Sequence, residues 1–162
     1  MMFKVILLSI CFILFSCSTT YYIVRHAEKE PATEMVTDVF LSEEGKERAE
    51  ALRDSLVNKD IKRIFSTNTL RTLSTARPLS EAISIDIETY DPADSSFITR
   101  LKQLSHGRVL IVGHSNTVDD LVNGLTREHS INGDLADNEY GDLFIVKRKG
   151  QKYFFERRHF GE

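Results

Sequence analysis

Two cysteines in 162 residues cannot build a disulfide scaffold, and no Cys/His spacing in the chain resembles a zinc site. An internal repeat is missing too, which excludes collagen-like and coiled-coil architectures. Excess charge of one sign is also lacking. Twenty-one Lys and Arg against 24 Asp and Glu leave a formal charge of -3, so no basic nucleic-acid footprint is expected. What is present is an apolar content of 41%, which excludes disorder. The length suits one ordinary globular domain: enough to bury one core and too little for two.

The longest apolar run is too short for a transmembrane helix, which takes ~20 residues. It reads V-I-L-L-S-I-C-F-I-L-F from Val5 to Phe15, behind a single Lys4. That is the length of a signal-peptide core, the alternative being a buried strand or helix of the domain. The run ends in Leu14-Phe15-Ser16-Cys17, which resembles a bacterial lipoprotein signal: an apolar residue three before the cysteine and a small one just before it. The resemblance implies cleavage before Cys17, lipidation of Cys17, and an exported protein anchored to a membrane and facing the periplasm. On that reading residues 1–16 are a signal peptide, 17–20 a lipidated cysteine with a short tether, and 21–162 the folded domain.

Along that domain, short apolar runs alternate with helical periodicity. Tyr21–Val24, Ile61–Phe65 and Val109–Val112 read as buried strands, and a further short strand falls within Ile83–Tyr90. Ser42-Glu43-Glu44 has a capping hydroxyl and first-turn acids, and Ala49, Leu52 and Leu56 follow at helical spacing. A second helix starts near Thr69, and Pro78 either ends it or kinks it. Ser95 or Ser96 offers a cap for a helix through Phe97, Leu101 and Leu104, and Thr117–Leu125 reads as a fourth. Leu143–Arg148 and Lys152–Arg158 flank a Lys149-Gly150-Gln151 turn and form a hairpin. The alternation predicts an α/β sheet, mostly parallel, with that C-terminal β-hairpin at one edge.

The residues with chemistry to offer cluster at strand ends. The first strand runs into Arg25-His26, the second into Ser66-Thr67-Asn68 with Arg71 just beyond, and the Val109 strand into Gly113-His114-Ser115-Asn116. In open α/β sheets ligands bind beyond the carboxyl ends of the strands. Two imidazoles and two guanidiniums there suit a phosphoryl group, which arginine holds through paired hydrogen bonds. Nearby arginines keep an imidazole neutral and able to attack phosphorus, and a second imidazole, if protonated, stabilises the transition-state oxygens. Singly, each residue has a plainer role as a cap, a turn or a solvated helix residue. Their joint occurrence at one sheet edge carries the reading.

These residues resemble the histidine phosphatase superfamily, with its phosphoglycerate mutase-like three-layer α/β/α fold, in the compact first branch. Arg25-His26-Ala27-Glu28-Lys29 is similar to the Arg-His-Gly hallmark. Leu41-Ser42-Glu43-Glu44-Gly45-Lys46-Glu47-Arg48-Ala49 is similar to L-[ST]-x-x-G-x-x-[QR]-A. Ser66 to Ala76 resembles S-x-x-x-R-[AT]-x-x-T-A, and Gly113-His114-Ser115 the later Gly-His motif. Order and spacing agree from Tyr21 to Leu125. The resemblance implies that His26 becomes phosphorylated and that Arg25, Arg71 and His114 form the phosphate pocket, with Asn68 and Ser115 as further hydrogen-bonding groups. It implies no metal or organic cofactor, and a small phosphorylated substrate.

Two departures stand out. Ala27 replaces the usual glycine and brings a methyl close to the phosphate. No residue is an evident general acid: Asp91 and Asp94 follow the third strand, where the family often has a Glu, and each has a turn or capping role as its alternative; Glu28 is the third candidate. The expected activity is metal-independent hydrolysis of a phosphomonoester or phosphoramidate through phosphohistidine. The alternatives are a mutase of the same chemistry and a non-catalytic lipoprotein that binds a phosphoanion or a partner. Mutases of this branch are expected to be longer and lidded, and only a short stretch separates His26 from Leu41, which favours hydrolysis. Removal of phosphate from protein phosphohistidine is disfavoured by the export signal.

Overall fold

The computed structural model describes residues 18–33 and 35–161, so residues 1–16, read as a signal peptide, and Cys17 lie outside it. The chain order is β1 (Ser18–Arg25), α1 (Glu43–Leu56), β2 (Arg63–Thr67), α2 (Leu70–Ile83), β3 (Ile87–Tyr90), α3 (Phe97–Gln103), β4 (Gly107–Gly113), α4 (Val118–Thr126), β5 (Asp142–Lys149) and β6 (Lys152–His159). The strands form one sheet in the order β3-β2-β4-β1-β5-β6. The first four of these neighbours run parallel, and β5 and β6 close the other side as an antiparallel hairpin. This is the expected mostly parallel α/β sheet with its C-terminal hairpin at one edge.

The alternation of side chains along β1 explains the layers. Tyr21 and Ile23 point into one core and Tyr22 and Val24 into the other, as the two-residue period of a strand requires. On one face Leu52, Leu56, Ala76 and Leu79 of α1 and α2 pack on Ile64, Leu110 and Val112. On the other, Phe97, Leu101, Val118, Val122 and Leu125 of α3 and α4 pack on Phe65, Ile111 and Phe144. A strand buried on both faces belongs in the interior of a sheet, and β1 lies between β4 and β5.

Several boundaries differ from the sequence reading, each for a local reason. β1 begins at Ser18, not Tyr21: Ser18 pairs with Lys149 and Thr19 with Gly107. The buried Thr19 hydroxyl donates to the Leu104 carbonyl and accepts from Arg148, so the three residues expected as tether are strand. β2 starts two residues late because Asp60 takes a left-handed turn (φ 50°) before it. α2 runs through Pro78 to Ile83, held by its buried face of Thr72, Thr75, Ala76 and Leu79. Burial of that face outweighs the hydrogen bond that the proline cannot donate. At α3 the Ser96 side chain caps nothing; the Asp94 carboxylate accepts the Ser96 N–H instead. α1 starts as read, with the Ser42 hydroxyl accepting from the Gly45 N–H at 3.2 Å.

Candidate active site

Strand register builds the site. Arg25 stands opposite Gly113 in the β1–β4 ladder, and one further bond, His26 N–H to the Gly113 carbonyl at 2.9 Å, carries the pairing past the strand end. His26 and His114 are therefore neighbours, with ring centroids 5.6 Å apart at 67°. On the far side of β4, Ser66 pairs with Val112, which brings Thr67 level with Gly113, one residue before His114; the Thr67 hydroxyl lies 2.9 Å from His114 Nε2. Arg71, in the first turn of α2, directs Nη2 at His114 Nδ1, 3.3 Å away.

Each imidazole is held in one tautomer by its partners, as the hydrogen-bond network assigns it. His26 Nδ1 donates to the Ala27 carbonyl at 2.8 Å, which leaves the Nε2 lone pair free to act as a nucleophile. Arg71 donates to His114 Nδ1, so its ring proton sits on Nε2 and goes to Thr67. The backbone after His26 is fixed from two sides. Ala27 N–H donates to the Thr75 hydroxyl at 2.9 Å, and Thr75 donates to the Arg71 carbonyl at 2.8 Å. The Glu28 carbonyl accepts from Ser42 N–H at 3.1 Å. The Ala27 methyl is buried with Leu41 and Ala49.

Electrostatics keep both rings neutral near pH 7. Burial pulls His26 down to about 3, and Arg25, Arg71 and His114 push the same way, against the bond to Ala27. His114 falls to about 4, again first through burial and then through Arg71 and Arg25, while Asp38 opposes. Nearby arginines were expected to keep the nucleophile neutral; they contribute, but desolvation is the larger cause.

The two arginines are engaged differently. Arg25 Nη1 donates to the carbonyls of Ala136, Asp137 and Glu139 at 2.7, 3.3 and 3.2 Å, and Nη2 to the Tyr140 hydroxyl at 3.3 Å. Its guanidinium carbon lies 4.2 Å from the Tyr140 ring centroid. Arg71 Nη1 faces Asp38 at 3.4 Å. Asp38 also accepts from the Leu70 N–H, capping α2 where Thr69 makes no side-chain cap. Among the described residues three buried side-chain polar atoms lack a partner: Arg25 Nε, Arg71 Nε and Asp119 Oδ1. An unsatisfied buried donor is costly, and two at one site call for an anion.

Of the residues read from the sequence, Arg25, His26, Arg71 and His114 converge. Asn68 is exposed directly after β2, and Ser115 is half-buried with its carbonyl accepting from Leu135 N–H at 3.0 Å. Asp91 folds back onto Ala93 N–H at 2.9 Å. Asp94 accepts from Ser96 N–H and ion-pairs with Arg100, and these bonds hold its carboxyl down at about 2. That is the capping role, and it leaves no proton to donate near neutral pH. Glu28 pairs with Arg48 at 2.6 Å, not with Lys29 or water. Thr67, Thr75, Asp38 and Tyr140 had been given no role. The two threonines lie inside motifs already quoted; nothing in the spacing around Asp38 or Tyr140 marks them. No group of three His, Cys, Asp or Glu side chains among the described residues is arranged to hold a metal ion.

Paired imidazoles and guanidiniums at the carboxyl ends of a mostly parallel sheet form a donor set suited to a phosphoryl group. The family model for the histidine phosphatase superfamily (branch 1) matches residues 21–92, which hold the first three motifs. The fold agrees over a longer span. The SixA protein of Agrobacterium tumefaciens is 21% identical with a TM-score of 0.63, over 88% of this chain and 97% of that one. A protein histidine phosphatase SixA complexed with tungstate is 15% identical at a TM-score of 0.69, over 86% and 96%. A phosphoglycerate mutase from Bacillus anthracis is 16% identical at 0.63, over 88% and 93%. Over residues 21–92 the chain is similar to the histidine phosphatase superfamily, branch 1. His114 lies beyond the matched residues and joins the site through the β1–β4 register. No curated protein matches the chain.

Proposed function

We propose that this protein is a metal-independent phosphatase that passes the phosphoryl group of a phosphomonoester or phosphoramidate to His26 and then to water. The observation that carries this reading is the pair of buried, unpartnered guanidinium Nε groups of Arg25 and Arg71 beside two neutral imidazoles. His26 Nε2 attacks phosphorus while Arg71, Arg25 Nε and His114 hold the oxygens, with Asn68 and the Ser115 N–H at the rim. A bound dianion offsets the arginine charges that depress His114, so binding favours protonation of that ring and a further hydrogen bond to phosphate. Cationic side chains supply the charge neutralisation that the reaction needs.

A mutase would share every step up to phosphohistidine and differ only in the acceptor. Length does not separate the two, since this chain spans 93% of a structure described as a phosphoglycerate mutase. The expectation that mutases are longer therefore gives no ground for choosing hydrolysis. The test is phosphate release from p-nitrophenyl phosphate in the presence of a chelator. The unsubstituted protein should release phosphate, and His26→Ala should not. Activity retained in His26→Ala would overturn the phosphohistidine mechanism.

The anchor belongs to the same proposal. Lipidation of Cys17 would hold the protein to a membrane by the start of β1, whose far end carries Arg25-His26. The pocket would then open away from that surface, toward soluble substrate in the periplasm.

A further inference from the structure

Phosphoryl transfer to His26 leaves a negative oxygen on the departing group, and for an alcohol that oxygen needs a proton. The carboxylates suggested by the sequence do not supply one. Asp94 is held ionised by Ser96 and Arg100, Asp91 is turned onto its own loop, and Glu28 is locked to Arg48. Asp38 is committed to other partners, accepting from the Leu70 N–H at the start of α2 and facing Arg71 Nη1.

Tyr140 is differently placed. Its ring lies 6.3 Å from the His26 ring, centroid to centroid, and is tilted toward it at 54°. Its hydroxyl accepts from Arg25 Nη2 and donates to no protein atom among the described residues. The phenol is a donor as well as an acceptor, so one O–H on a ring next to the His26 ring is uncommitted. The loop that presents it is anchored on both sides. Arg25 binds three carbonyls just before Tyr140, and the Gly141 carbonyl after it accepts from Phe160 N–H at 2.8 Å. Gly141 itself has a φ of +81°, which disfavours any side chain at that position.

We propose that Tyr140 is the general acid of this site and that its substrates include alkyl phosphomonoesters, whose leaving groups need a proton. This rests on the phosphatase reading above. In the first half-reaction the His26 Nε2–P bond forms and the P–O bond to the alcohol breaks. The electron pair of that bond stays on the departing oxygen, which takes the Tyr140 proton. The charge left on the Tyr140 oxygen falls beside the Arg25 guanidinium. In the second half-reaction water attacks phosphorus, its proton returns to Tyr140, and the N–P bond breaks to restore neutral His26 and release phosphate.

The test compares Tyr140→Phe with the unsubstituted protein on two esters, n-butyl phosphate and 2,4-dinitrophenyl phosphate, by kcat/KM. A phenylalanine keeps the ring against Arg25 and removes only the proton. We expect a loss of about 100-fold or more on butyl phosphate, the range of a lost general acid, and a loss at least ~10-fold smaller on the dinitrophenyl ester. Equal losses on both would mean that Tyr140 only positions Arg25 and would overturn the proposal, as would no loss on either. Failure of the unsubstituted protein to hydrolyse either ester would instead overturn the phosphatase reading on which it rests.

Discussion

At the residue scale, His26 and His114 are buried bases that stay neutral, and this has a cost in acid. The folded state holds His26 at about 3, whereas an unfolded histidine titrates near ~6.5. Between those values the unfolded chain binds more protons than the native one, so stability falls as pH falls through that window. From pH 6.5 to 5 the loss from His26 alone is about 2 kcal/mol, and His114, held at about 4, adds in the same direction. Urea denaturation at pH 7.5 and pH 5 should show this loss, and His26→Asn should reduce it. A pH dependence unchanged by that substitution would contradict the account. Thr67 and Thr75 matter here because each satisfies a group that would otherwise compete with the chemistry, the His114 proton and the Ala27 N–H.

At the element scale, the loop that follows His26 is held by close approach of a helix. A Cβ built on Gly45, in the first turn of α1, would lie 2.0 Å from the Glu28 carbonyl oxygen. Backbone on both sides leaves little room to yield, so Gly45→Ala should push α1 away from the residues after His26. We expect a loss of about 1–3 kcal/mol in stability and a lower kcat, measured by denaturation and ester hydrolysis; a variant as stable and active as the parent would refute it. This glycine was legible from the sequence as part of the motif after Leu41, and so were the strand order of the chemistry and the α1 cap. The misplaced boundaries were those that tertiary burial decided. Nothing local in Ser18-Thr19-Thr20 shows that Thr19 meets Leu104 and Arg148, some 85 and 129 residues later. Pro78 advertises a helix end that the packed face of α2 overrides. Tyr140 was unreadable for a similar reason, since its importance comes from Arg25, 115 residues earlier in sequence.

At the scale of the whole molecule, the sheet fixes a direction. Eight residues of β1 at ~3.3 Å each put roughly 25 Å between Ser18 and the histidine end. If Cys17 carries lipid, no slack chain separates anchor from domain. Cys17→Ala should move the protein from the membrane fraction to the soluble one, as seen by fractionation and immunoblotting; a protein that stays with the membrane would rule out this anchor. The position of β1 also sets an order of events during synthesis. Among the described residues the first strand made is an interior strand, and its partners are β4, reached at Gly107, and β5, which ends at Lys149. The centre of the sheet therefore cannot close until nearly the whole chain has left the ribosome. Until then β1 can meet α1 and α2 but lacks its ladder partner on the β5 side, so the early chain holds an apolar strand with an unpaired edge for most of its own production.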